Sequence, residues 1–300
     1  MKTYKDITGD GGSNIVEQVT EQKNRLQVRL STVKNIIAVM SGKGGVGKSS
    51  VTVNLASTLA LRKYAVGILD ADINGPSIAK MTGVREISLQ YAETGIIPPL
   101  SSLGIKIMSI DLFLPQENTP VIWNAVTQKD AFTWRGIAEA SALRELLTDT
   151  VWGDLDILLI DLPPGTDKLP NMVDLLPHLN GTIIVTIPSS LSQFVVSKSI
   201  KMATKILKTP VIGLIENMST YICSHCGQEE SLYPTGQVER MAKDNNIPFL
   251  GRIPFDPRMA VAADIGVSFM EDHGDLPAAK EIQEISDKVK QWIELNGEFK

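Results

Sequence analysis

From Asn35 onward, short and nearly continuous apolar runs alternate with longer stretches in which apolar residues recur every three or four positions. "NIIAVMS", "YAVGILDAD", "LDILLIDLP", "GTIIVTIP" and "TPVIGLIENMS" are rich in β-branched residues and read as strands buried on both faces. Between them "KSSVTVNLASTLALRK", "GIAEASALRELL" and "SQFVVSKSIKMATKILK" carry a helical period. Buried strands separated by helices predict an α/β fold, a mostly parallel sheet with helices on both faces. Ligands of such sheets bind at the carboxyl ends of the strands, and the residues with chemical potential fall there.

Residues 1–33 follow another pattern. After a flexible "GDGGS", Ile15, Val19, Leu26, Leu30 and Val33 recur at near-helical spacing, and Asn14 with Glu17 can cap the start. The expected division is therefore a helical extension over 1–33 and one catalytic domain over 34–300, with a loop at about 220–232 that holds both cysteines. "PVIWNAVTQKDAFTWRG", residues 120–136, is polar and irregular, and reads as an excursion from the sheet. The last helix aligns Ile282, Ile285, Val289, Trp292 and Ile293 on one face. Its other face mixes Glu281, Glu284 and Asp287 with Lys288 and Lys290, which favours docking on the core over a lysine-rich membrane surface.

Composition narrows the function classes. Three hundred residues with 43% apolar content bury a substantial core, and a net charge of −5 argues against a dedicated nucleic-acid binder. No apolar run reaches the roughly 18–20 residues of a membrane helix, and "MKTYKDITGDGG" lacks the apolar core of a signal peptide. Two cysteines without an export signal point to a reducing cytoplasm.

"SGKGGVGKSS" fits G-x-x-x-x-G-K-[ST], follows a predicted strand and opens a predicted helix. In Gly42, Gly44, Gly45, Val46, Gly47, Lys48, Ser49 and Ser50, small residues let consecutive N–H groups face phosphate oxygens at a helix N-terminus. Lys48 is expected to reach the β- and γ-phosphates of ATP, and Ser49 to ligate Mg²⁺. Asp70 and Asp72 follow the second strand, two apart and so on one side of an extended chain, and Asp161 ends another strand.

Lys43, a second lysine in the form K-G-G-x-G-K-S, resembles the deviant Walker A class of P-loop NTPases that includes MinD, ParA and the nitrogenase iron protein. That resemblance implies that Lys43 crosses a dimer interface to the partner's phosphates, where a cation supplied in trans neutralises developing charge. It also implies that Asp72 positions the attacking water, and that Asp161 holds Mg²⁺ through water. "DINGPS", "DLPPGT", "ENMS" followed by C-x-x-C-G, and "GRIPFDP" occur in the order seen in the Mrp/ApbC family of iron–sulfur cluster carrier ATPases. The resemblance runs from about Asn35 to about Gly266 and implies that Asn217 and an "IPFDP" loop, with Pro254, Phe255 and Asp256, border the adenine. The chain departs from the family at Gly165-Thr166-Asp167-Lys168, where G-T-G-D is usual, at Asn124–Thr133, an intervening segment, and between the cysteines, where Ser224 and His225 replace a bracketed proline.

Cys223 and Cys226 are the only cysteines, half of a set that usually numbers four. In a homodimer, symmetry supplies the second pair, and four thiolates fit a [4Fe–4S] cluster. Zinc accepts the same sulfurs, and a redox pair is a further alternative, although such pairs begin a helix. The leading expectation is an ATP-hydrolysing homodimer that carries a cluster to client apoproteins, without nucleic acid or stable membrane association. The alternatives are a MinD/ParA-like positioning ATPase acting on membrane or DNA, and a zinc-bridged regulatory ATPase.

Overall fold

A computed structural model describes residues 15–116, 119, 128–166, 168–176, 178–223, 225–233 and 237–296. The elements are α1 (Ile15–Leu30), β1 (Val33–Ser41), α2 (Lys48–Leu61), β2 (Val66–Asp70), α3 (Ile78–Met81), β3 (Gln90–Ala92), β4 (Gly95–Ile97) and β5 (Lys106–Met108). They continue with α4 (Gln128–Asp149), β6 (Leu155–Asp161), α5 (Lys168–Leu175), β7 (Gly181–Thr186) and α6 (Ser190–Lys201). The chain closes with β8 (Val211–Ile222), β9 (Glu229–Ser231), α7 (Val238–Asp244), β10 (Phe249–Phe255), α8 (Pro257–Ile265), α9 (Phe269–Asp272) and α10 (Pro277–Asn296).

Seven strands lie in the order β10-β8-β7-β1-β6-β2-β5, and the pairings along this path are parallel. β1 is central because its alternating side chains are apolar on both sides. Ile37 and Val39 enter the core beneath α2, α8, α9 and α10, while Ile36, Ala38 and Met40 enter the opposite core beneath α1, α4, α5, α6 and α7. The same division separates Ile157 and Leu159 of β6 from Leu158 and Ile160. A strand without a polar face requires a cover on each side, and the helices supply it.

The C-terminal helix docks as its period predicts, with Ile282, Ile285 and Val289 buried and Trp292 and Ile293 packed against that core. α1 buries Leu26 in the second core, whereas Val33, read with that helix, instead starts β1. Among the described residues no helix is long and apolar enough to cross a membrane.

Three expectations need correction. Residues 128–136, read as part of an irregular excursion, belong to α4, because tolerable helix formers do not stop a helix merely by being polar; residues 120–127 lie outside those described. "ENMS" is not a strand end, since β8 continues through Ile222 and pairs antiparallel with β9. "IPFDP" is not a loop: it finishes β10, and Asp256 caps α8 with Pro257 in its first turn.

Trp152 fills the space beneath β2 and β6, fully buried, and its indole N–H donates to the Leu147 carbonyl at 3.1 Å. Replacing it with alanine removes both the packing and the bond. Trp152→Ala is expected to cost about 3–5 kcal/mol, measured as a lower urea midpoint at constant slope; a loss below about 1 kcal/mol would contradict close packing there.

Candidate nucleotide and metal site

The loop between β1 and α2 curls because Gly45 and Gly47 take left-handed conformations, φ 77° and 78°, that side chains other than glycine's rarely adopt. Gly47 also has no room for a Cβ, which would collide with the side-chain amide of Asn217. Lys48 and Ser49 follow at the first turn of α2, so the loop and the helix N-terminus form one anion-facing concavity.

Asp161, at the end of β6, is wholly buried and gathers three donors. Lys48 Nζ lies 2.6 Å from Oδ2, the Ser49 hydroxyl donates to the same oxygen at 2.6 Å, and the Thr52 hydroxyl donates to Oδ1 at 2.7 Å. Lys43, by contrast, is half-buried at the loop's rim, and no ion pair engages its ammonium among the described residues. The hard oxygens of Ser49 and Asp161 suit Mg²⁺.

β8 reaches this loop from the side. The Asn217 side chain, 4% exposed, donates from Nδ2 to the Val46 carbonyl at 2.9 Å. The next residue, Met218, takes φ 54°, and the register slips there: Asn217 lies opposite Ile253, but Tyr221 lies opposite Phe255. Two extra residues are accommodated in β8, a bulge of the kind that re-aims side chains near sites. Phe255 is part-exposed and its ring centroid lies 6.4 Å from that of Tyr221. Pro254 is half-buried beside it. Asp256 Oδ1 accepts from the Arg258 backbone N–H at the start of α8, and its two oxygens accept from the Arg258 guanidinium at 2.8 and 2.6 Å. Burial works to raise the Asp256 pKa, but the hydrogen bonds and charge of Arg258 hold it below the ordinary value.

Beyond the bulge, β8 outruns its neighbour β7, whose pairing ends at Glu216, and turns back as a hairpin with β9. The cysteines occupy that turn. The Cys223 N–H donates to the Gln228 carbonyl at 2.9 Å, and the Gly227 N–H to the Cys223 carbonyl at 2.8 Å. The N–H groups of Cys226 and His225 also bond the Cys223 sulfur, with a side-chain bond from Cys226, and together they lower the thiol's pKa. Amides aimed at a sulfur favour its thiolate, the form that ligates metal. Cys223 is half-buried and Cys226 exposed, and no helix begins here. Among the described residues no group of three or more metal-binding side chains occurs.

The carboxylates after β2 behave differently from one another. Asp70 is buried and turns inward, accepting from the N–H groups of Asp72, Ser77 and Ile78 at 3.1, 2.9 and 3.1 Å and from the Ser109 hydroxyl at 3.2 Å. The bond from the Asp72 N–H to the carboxylate two residues before it is an Asx-type contact at the end of β2. Asp72 is half-buried and accepts the Gly75 N–H at 3.2 Å.

Residues 32–290 match the family described as ParA: NUBPL iron-transfer P-loop NTPase. The chain belongs to that family. An iron-sulfur cluster carrier protein of Saccharolobus solfataricus is 41% identical over 281 residues, 93% of this chain and 91% of the relative. A nucleotide-binding protein from Archaeoglobus fulgidus, solved in complex with ADP, is 37% identical at a TM-score of 0.69, over 81% of this chain and 91% of that one. The cell division ATPase MinD of Pyrococcus furiosus, at 18% identity and TM-score 0.57 over 87% of this chain and 100% of that one, shares the fold.

In this P-loop NTPase Thr52 escaped the sequence reading, and Asp70 was named there without its role. Thr52 meets Asp161 because it stands one helical turn after Lys48, a spacing that was visible but unused. Asp70 emerges as the organiser of the loop that carries Asp72. Burial, then the neighbouring Asp161 charge, raises its pKa from 3.8 to about 7, against the lowering effect of its backbone donors. Between those values the folded chain keeps a proton that the unfolded chain has lost. The stability from this group is therefore full below about pH 4 and is lost as pH rises through about 7. Asp70→Asn is expected to flatten the fall in urea midpoint between pH 5 and 8; the same fall in both proteins would refute this assignment.

Proposed function

We propose that the chain is an ATP-hydrolysing homodimeric carrier that holds a [4Fe–4S] cluster between its subunits and passes it to apoproteins. The observation that carries the reading is the continuity of β8. One strand touches the phosphate loop through Asn217 and ends at Ile222, next to Cys223, which lies six residues on from Asn217 and roughly 20 Å away at most. The family membership and the carrier relatives support the cargo, and the cysteine turn with its lowered thiol pKa supplies two of the four thiolates a cluster needs.

In this reading the loop amides of Gly42 to Ser50 bind the phosphates, and Lys48 leaves Asp161 to reach the β- and γ-phosphates. Asn217, Pro254 and Phe255 border the base, with Asp256 held in place by Arg258. Mg²⁺ held by Ser49 and, through water, Asp161 would offset the phosphate charge. Asp72 orients a water that adds to the γ-phosphorus as the bond to the bridging oxygen breaks, leaving ADP and phosphate. Lys43, which no ion pair engages among the described residues, neutralises charge across the interface. Nucleotide state alters how the two subunits face each other, and so the cage that the two hairpins form. Work in a reducing cytoplasm keeps the thiols available. The positioning-ATPase reading has likeness of fold behind it and leaves the cysteines idle.

Anaerobic reconstitution is expected to give a coloured dimer with about four iron and four sulfide, and Cys223→Ala or Cys226→Ala to lose them. A wild-type protein that stays iron-free with reduced thiols refutes the carrier, zinc in its place supports the regulatory alternative, and a cluster retained after either substitution refutes bridging. Separately, Lys43→Ala is expected to lower ATP turnover by about 10³-fold while ADP still binds; unchanged turnover would remove Lys43 from the reaction.

A further inference from the structure

A cavity of about 240 Å³ opens between α4, the loop after β2 and the loop after β6. On its wall Glu139, from α4, divides its carboxylate between the two loops. Oε1 accepts from Asn74 Nδ2 at 2.7 Å, and Oε2 lies 3.6 Å from Lys168 Nζ. The Glu139 side chain is 16% exposed and that of Lys168 28%, so the carboxylate is largely withdrawn from water, and these groups are among those that replace its lost hydration.

The two partners are close to the chemistry. Asn74 stands two residues after Asp72, beside Gly75, whose N–H donates to the Asp72 carboxylate. Lys168 begins α5, three residues after Gly165, whose N–H donates to the Ser41 carbonyl at the end of β1.

We propose that Glu139 is a positioning residue that couples the two loops. Through Asn74 it fixes the loop that carries Asp72, through Lys168 it fixes the loop that follows Asp161, and a displacement of one is transmitted to the other. The inference rests on the ATP-hydrolysing reading above. One arm is a short hydrogen bond to a charged acceptor, and the other is a longer, part-exposed ion pair, the weaker kind of contact. The clasp therefore holds both loops while leaving the Lys168 arm free to yield when nucleotide enters. A merely structural contact would steady α4 without linking the loops.

The test uses the full chain with Glu139→Ala, Glu139→Gln, Lys168→Glu and the exchanged pair Glu139→Lys with Lys168→Glu. Amide hydrogen exchange of residues 72–78 and 162–169 is followed without nucleotide, alongside kcat, KM, ADP affinity and Tm. Glu139→Ala is expected to speed exchange in both segments and to lower kcat about 10-fold, with ADP affinity within about 2-fold. Glu139→Gln, which keeps an acceptor for Asn74, should fall between. The exchanged pair should regain kcat to within about 3-fold of wild type, since Asn74 can turn its oxygen to the new ammonium.

Faster exchange in one segment alone, no recovery in the exchanged pair, or an unchanged kcat in Glu139→Ala would each overturn the coupling. A wild-type chain without turnover would sink the ATPase reading instead, and the exchange measurement would still decide whether the loops are linked.

Discussion

The buried pair of Lys48 and Asp161 is the constraint on which the site depends. Removing an ammonium and a carboxylate from water costs several kcal/mol each, and a bare pair need not recover it. Here the carboxylate also takes the hydroxyls of Ser49 and Thr52, so its oxygens are met from one helical turn. The interaction joins the start of α2 to the end of β6, strands and helix that the core already presses together from opposite sides. The core sets the spacing, and the pair converts the spacing into charge at the mouth of the phosphate loop. Phosphate oxygens would offer Lys48 a competing anion, so the resting contact keeps the lysine desolvated and close by without committing it.

β8 does a second job. Among the described strands it is the longest, twelve residues, and only its first half is flanked by β7. Past that point it carries the bulge at Met218, the aromatic contact between Tyr221 and Phe255, and the hairpin with its cysteines. Glu216 lies just before the bulge, 3% exposed, with Oε1 3.4 Å from Arg252 Nε; burial is the main cause that raises its pKa. A costly carboxylate at the root of the overhang and a left-handed residue above it mark β8 as a strand shaped for position more than for stability.

Much of this was legible in the chain. Runs such as "NIIAVMS" and "LDILLIDLP" announced strands buried on both faces, and the phosphate loop announced itself because glycine, lysine and serine fall at a spacing set by backbone geometry. What stayed hidden depended on contacts distant in sequence. Glu139 could not be paired with Asn74 and Lys168 from periodicity, since 65 residues separate it from the first and the approach is set by how α4 crosses the sheet. Asp70 looked like a companion of Asp72, and its inward turn follows from the donors at Ser77, Ile78 and Ser109. The C-x-x-C spacing was plain, but its hairpin was not, because a strand that outruns its neighbour leaves no mark in a hydrophobic pattern.

The hairpin also bears on why, in the carrier proposal, two cysteines per chain would suffice. A single turn with N–H groups directed at one sulfur lowers that thiol's pKa and favours the form that ligates metal. Two sulfurs leave half of a four-thiolate set unfilled, and the sequence holds no third cysteine. Completing the coordination from the same chain would require a second loop folded over the first, fixing the site permanently and impeding release. Under the carrier proposal, taking the other half from a second copy would make closure reversible, governed by the interface and not by the fold. A carrier needs that property and a resident metal site does not, so under that proposal two cysteines per chain suit cargo better than cofactor.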